Sequence, residues 1–117
     1  MSVDYYIPPP RKYLSLWRGE ILAPDYRAHT IRAIVDLIAE RRGLKPSEIL
    51  SRSRRRPVVY ARQEVMYVAR SIRRDDGTPR YSYPDIGRRL GGFDHTTVLH
   101  GVAGHCKRHN LGHPDDA

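Results

Sequence analysis

Gly91-Gly92-Phe93-Asp94-His95-Thr96-Thr97-Val98-Leu99-His100 is the stretch whose reading decides the fold of this 117-residue chain. Two adjacent glycines supply the backbone freedom that ends one helix and turns the chain. Asp94 then stands where an N-cap belongs. The helix that follows carries an imidazole and two hydroxyls in its first turn, and an apolar stripe of Leu99, Val102 and Cys106 behind them. It is expected to run to about Arg108. A helix with such a tip is built to press its N-terminal end against something polar.

Working outward, Ser82-Tyr83-Pro84-Asp85 has the form of a capping box with proline in the first turn. The short helix it opens carries Ile86 and Leu90 inward and ends at the two glycines. Short helix, tight turn and polar-tipped helix together form a helix-turn-helix pattern. Upstream, Asp75-Asp76-Gly77-Thr78-Pro79 is a turn. Before it, Val65, Val68, Ala69 and Ile72 predict a helix from about Val59 to Arg74. Arg62, Arg70 and Arg73 lie within about 80° of one another on it, which predicts a basic outer ridge. Arg52 to Pro57 reads as a basic loop, because proline disfavours helical geometry at Arg56. Pro46 to Leu50 forms a short helix. Ile31, Ile34, Val35 and Ile38 mark another, from Asp25 to about Arg42, stopped by Gly43. Apart from Val58-Val59-Tyr60, nothing reads as a strand. The expected fold is all-α: a compact domain of about five helices over residues 25–110, with a helix-turn-helix and a basic loop. Residues 1–24, rich in proline and aromatics, form an N-terminal arm, and residues 111–117 a C-terminal tail.

Charge sharpens this picture. The chain carries 21 basic and 13 acidic side chains, net +8. Eleven arginines against four carboxylates fall between Arg52 and Arg89, so that nearly all the excess sits in one third of the sequence. A concentrated excess is a field that attracts polyanions. The single cysteine, Cys106, allows no internal disulfide, no apolar run approaches membrane-spanning length, and the first residues lack the form of a signal peptide. The expected location is cytoplasmic, in association with the nucleoid.

These features converge on double-stranded DNA as the partner. A recognition helix entering the major groove tip first would let Asp94 accept from cytosine N4 and His95 donate to a guanine or thymine acceptor. The methyl of Thr96 or Thr97 would pack on a thymine methyl. Arg52 to Arg56 suits the narrow minor groove of A·T-rich DNA, and Arg55, Arg62, Arg70 and Arg73, with Arg88 and Arg89, suit phosphate. About six neutralised phosphates correspond to a log–log salt slope of about −5. Against this, Asp94 is an ordinary N-cap residue, and His95 lies close enough to the apolar stripe to be a core histidine.

The segment from roughly Arg32 to Val102 resembles the C-terminal DNA-binding domain of the bacterial replication initiator DnaA, which implies a Trp-repressor-like helical fold. The resemblance rests on Ser53-Arg54-Arg55-Arg56, Ala61-Arg62-Gln63, Met66-Tyr67, Tyr83-Pro84-Asp85-Ile86-Gly87 and the opening stretch from Gly91 to His100. It implies that Arg54 enters the minor groove and that Asp94, His95 and Thr96, with Thr97 beside them, read bases. It implies phosphate contacts at Arg56, Arg62, Gln63, Arg70, Tyr83 and Pro84, and a site related to short A·T-rich initiator boxes. Phe93 stands where the family usually has arginine, Gly101 where alanine is usual, and the turn from Arg74 to Arg80 is longer than in most members. An exposed Gly101 would weaken its helix by about 1 kcal/mol. No G-x-x-x-x-G-K-[ST] loop occurs, so the chain is expected to read DNA without hydrolysing ATP, to need no cofactor, and to be no enzyme.

Two other readings start from different residues. The arm of residues 1–24 would suit a protein-interaction module acting on the replication initiator or another replication protein. His105, Cys106, His109 and His113 form a possible metal cluster, but no catalytic pattern accompanies them, and no metal is expected.

Overall fold

A computed structural model describes residues 30–116. The expectations for the arm of residues 1–24 and for a helix start at residues 25–29 lie outside the described residues. Among those described, five helices and one short 3-10 turn occur, with no strand.

Helix α1 is Ile31–Arg42. The Thr30 hydroxyl caps it by accepting from Ala33 N at 3.1 Å, so α1 begins at Ile31. Gly43, at φ 70°, ends it in the left-handed conformation expected of a glycine stop. Helix α2 is Pro46–Ile49, and the Glu48 carboxylate reaches back to Lys45 N at 2.9 Å. Helix α3, Arg56–Ser71, runs through the centre and packs against α1 on one side and α5 on another. Helix α4 is Tyr83–Arg89, and Ser82 Oγ accepts from Asp85 N at 3.2 Å. Helix α5 is His95–His109. The stripe residues Ile31, Ile34, Val35 and Ile38 join Val65, Val68, Ala69 and Ile72, together with Ile86, Leu90, Val98 and Val102, in one buried cluster.

Three expectations are corrected. Helix α3 starts at Arg56, because Pro57 sits in its first turn, where a missing N–H costs nothing. The basic loop is therefore two residues shorter, ending at Arg55, and Val58-Val59-Tyr60 is helical. At the other end α3 stops at Ser71. Ile72 is extended, and a tight antiparallel turn closes with Arg74 N to Thr78 O at 2.8 Å and Arg80 N to Ile72 O at 2.9 Å. In α5 the buried face is Val98, Gly101, Val102, His105 and Cys106, whereas Leu99 is 38% exposed. A shift of one residue turns a helix by about 100°.

The carboxylate of Glu64 lies wholly inside, between α3 and α1, where Arg42 Nε meets Oε1 at 2.7 Å and Arg41 closes on both oxygens. A buried carboxylate is tolerable only with such pairing. Beyond α5 the chain stays on the domain: Leu111 packs against the core and Pro114 is buried in the 3-10 turn Pro114–Asp116.

Candidate nucleic-acid interface

The α4–α5 turn is built on close backbone approach. Gly92 N and Phe93 N both donate to Gly87 O, at 3.0 and 2.9 Å. A side chain at Gly87 would lie 2.0 Å from Phe93 O. Gly91 and Gly92 stand at φ 110° and 88°. A Cβ on Gly91 would lie 2.6 Å from Leu50 O, so the turn nests against the end of α2. Asp94 caps α5: Oδ2 accepts from Thr96 N at 3.1 Å and from the Thr96 hydroxyl. Those two bonds, the hydroxyl's first, hold the Asp94 carboxyl below the usual carboxylate range. The second oxygen lies 3.6 Å from His95 Nδ1. Asp94, His95, Thr96, Thr97 and His100 are all exposed. His95 is therefore not a core histidine. That place belongs to His105, which is fully buried between Tyr67 and His109, with ring centroids 4.9 and 4.6 Å away.

The basic loop is fastened to this turn. Arg52 NH2 donates to Gly92 O at 2.7 Å and to Gly91 O at 3.4 Å. Its guanidinium also packs on the Phe93 ring, 4.6 Å from the centroid. From within, Arg62 packs on the same ring at 4.9 Å. Arg62 holds the loop by its backbone, with Nε to Ile49 O at 3.0 Å, NH2 to Ser51 O at 2.7 Å and both terminal nitrogens to Ser53 O at 3.3 Å. Arg54 and Arg56 are exposed, and their side chains make no hydrogen bond or ion pair among the described residues. Arg55 is exposed too, with Glu48 Oε2 at 3.4 Å.

The basic outer ridge of α3 does not exist as expected. Arg62 is only 5% exposed. Burial, and then the charge of Arg52, lower its pKa from the ordinary guanidinium value. Arg70 and Arg73 are covered by the C-terminal turn. Arg70 Nε meets Asp115 Oδ1 at 2.8 Å, its NH1 meets Tyr81 O at 3.0 Å, and Arg73 donates to Pro114 O. The Tyr83 hydroxyl pairs with the other oxygen of Asp115, and Arg70 lies 4.1 Å from the Tyr83 ring centroid. Burial first, and then the Asp115 carboxylate, push the Tyr83 hydroxyl up to about 12. Gln63 faces α5, accepting from Arg108 NH1 at 2.8 Å, while Pro84 is exposed at the start of α4. Of the expected contacts, then, the structure brings Arg54 and Arg55 to the surface of one loop, Arg56 to the surface at the start of α3, and Asp94 to Thr97 to the surface of one helix tip. Arg62, Arg70, Arg73, Gln63 and Tyr83 have protein partners. The linking roles of Arg52 and Phe93 left no trace in the local pattern.

A cavity of about 60 Å³ lies behind the tip, between α3 residues Val59, Arg62, Gln63 and Met66 and the Phe93, Thr97 and Gly101 side. Gly101 is buried rather than exposed, and a Cβ there would lie 2.4 Å from Met66 Sδ. It permits close approach of α3 and α5 instead of merely weakening a helix. Cys106 Sγ faces Gly112 O at 3.6 Å and His113 Nδ1 accepts from Asp115 N at 3.1 Å. Among the described residues, no three of His, Cys, Asp or Glu are grouped so as to hold a metal ion. Nor is any helix there long and apolar enough to cross a membrane.

Comparison with known proteins agrees with this geometry. Residues 31–104 match the family described as bacterial DnaA protein helix-turn-helix. The chromosomal replication initiator protein DnaA of Caulobacter vibrioides is 45% identical over 86 residues, covering 70% of this chain and 16% of that protein. The protein of the same name from Cereibacter sphaeroides is 41% identical over 84 residues, 72% of this chain and 17% of its own. That of Rhizobium meliloti is 41% identical over 80 residues, 68% and 15%. The chain thus spans about a sixth of the length of these relatives. No solved structure matches it. The matched segment is the DNA-binding part of the initiator and not its ATPase. A helix-turn-helix whose polar tip and arginine loop are clasped together, with a family match across all five helices, makes this chain a member of the DnaA C-terminal DNA-binding family.

Proposed function

We propose that the protein binds double-stranded DNA sequence-specifically at A·T-rich sites related to initiator boxes, and so regulates replication initiation or transcription without ATPase activity. Arg54 enters the minor groove, and the tip of α5 enters the adjacent major groove with Asp94, His95, Thr96 and Thr97 against base edges. Arg55, Arg56 and the start of α4 at Pro84 contact phosphate. Arg62 holds the loop from inside instead of meeting DNA. The observation that carries this reading is the bond from Arg52 to the Gly91 and Gly92 carbonyls, which fastens the loop of the exposed Arg54 to the turn that opens α5.

Fluorescence anisotropy tests it, with an initiator-box duplex and a scrambled duplex at low and physiological salt. The expected result is preference for the box that persists as salt rises, reduced by about 1–3 kcal/mol in Arg54→Ala and in His95→Ala. Equal affinity for both duplexes at every salt concentration would remove the proposal.

A further inference from the structure

We propose that Phe93 is a positioning residue: it locks the Arg54 loop to the α5 tip, so that the two readers act at one fixed separation and choose a site jointly. The inference rests on the DNA-reading function proposed above. Phe93 immediately precedes the Asp94 cap, and its ring takes Arg52 at 4.6 Å and Arg62 at 4.9 Å. Each of these arginines grips a different backbone. Arg52 bonds the Gly91 and Gly92 carbonyls of the turn, and Arg62 the Ile49, Ser51 and Ser53 carbonyls leading to Arg54. The ring is thus a surface shared by the two clamps.

Electrostatics explains why an aromatic ring is needed. Arg52 and Arg62 repel, and the charge of Arg52 bears on the buried Arg62. The electron-rich face of a ring offsets that repulsion, which an aliphatic side chain of similar volume cannot do. With leucine at 93, Arg52 is free to leave for water and its bonds to the turn are lost. The backbone bonds of Gly92 and Phe93 to Gly87 O remain, so the turn itself survives. What changes is how tightly loop and tip are held to each other.

The test starts from a pool of duplexes with a randomised centre. Wild-type protein, Phe93→Leu and Phe93→Tyr are each used to select bound molecules, which are sequenced. The recovered duplex is then used in anisotropy for a double-mutant cycle between Arg54→Ala and His95→Ala in each background. In wild-type protein the double variant should lose about fivefold less affinity than the product of the single losses, the mark of interacting sites. In Phe93→Leu the two losses should multiply independently, and the recovered motif should keep its two halves while tolerating varied spacing between them. Phe93→Tyr should restore both coupling and spacing. Arg52→Gln, at an exposed position, gives the same readout without disturbing the core, should Phe93→Leu fail to fold. Coupling and spacing unchanged in both Phe93→Leu and Arg52→Gln, with affinity lowered equally for all duplexes, would overturn the inference and leave DNA reading intact. A wild-type selection that yields no motif would overturn DNA reading and the inference with it.

Discussion

Arg62 shows how far the role of one residue depends on where its side chain ends. On sequence it belongs to a basic ridge; in the fold it is a buried strut whose fork meets the carbonyls of Ile49, Ser51 and Ser53. Arg62→Ala strands those carbonyls and should cost about 2–4 kcal/mol in urea denaturation. Lysine should not restore the loss, since a point charge cannot satisfy acceptors spread across a planar fork. An unchanged midpoint in Arg62→Ala would place its guanidinium outside after all. His105 makes a second prediction. Burial first, then the charges of His109, Arg108, Arg42 and Arg41, lower its pKa from 6.5 to about 3. Because the folded value is the lower one, acid favours the unfolded chain. Stability from this residue is complete above about pH 6.5 and falls as pH drops toward 3. Denaturation at pH 7 and pH 5 should differ by about 2 kcal/mol on this account. His105→Phe, which keeps a ring against Tyr67, should show a distinctly smaller difference, and an identical one would sink the assignment.

At the scale of elements, the short C-terminal turn matters more than its length implies. Asp115 holds Arg70 and the Tyr83 hydroxyl, the same kinds of donor that a phosphate oxygen would use. Asp115→Asn removes the competing charge. It should tighten DNA binding at low salt and steepen the log–log salt slope by about 1; a slope that stays put would mean that Arg70 and Tyr83 serve the fold alone. The helices themselves were largely legible. The stripe from Ile31 to Ile38, the glycine stops at Gly43 and Gly91, and the Asp94 cap are local patterns with local causes. The facing of α5 was less so. Leu99 and Val98 both fit an apolar stripe, and only packing against α3 and α4 chooses Val98. The proline at 57 was ambiguous for a similar reason, as it disfavours helix before itself yet suits a first turn. The clasp of the site was not legible at all. Arg52 and Phe93, or Arg70 and Asp115, lie some forty residues apart, and no spacing rule reaches across that distance.

For the whole molecule, the charge that looked like one basic face is divided between structure and surface. Arg41 and Arg42 neutralise the buried Glu64, Arg62 props the loop, and Arg70 and Arg73 hold the C-terminal turn. Arg54, Arg55 and Arg56 stay exposed, and the proposed reading assigns them to DNA together with the start of α4. A slope near −3, from about three or four phosphates, is therefore expected in place of the steeper value that the arginine count alone gives. Anisotropy across a salt series measures it, and a slope of about −5 would mean that the internal arginines are released on binding. The central claim is that one loop and one helix tip, clasped at Phe93, form a single DNA-reading face. Titrating isotopically labelled protein with a box duplex and following backbone amide resonances tests it most directly. The resonances of Ser53 to Arg56 and of Phe93 to Thr97 should shift together along one binding curve while those of α1 stay fixed. Shifts centred on α1, with the loop and tip undisturbed, would contradict the account.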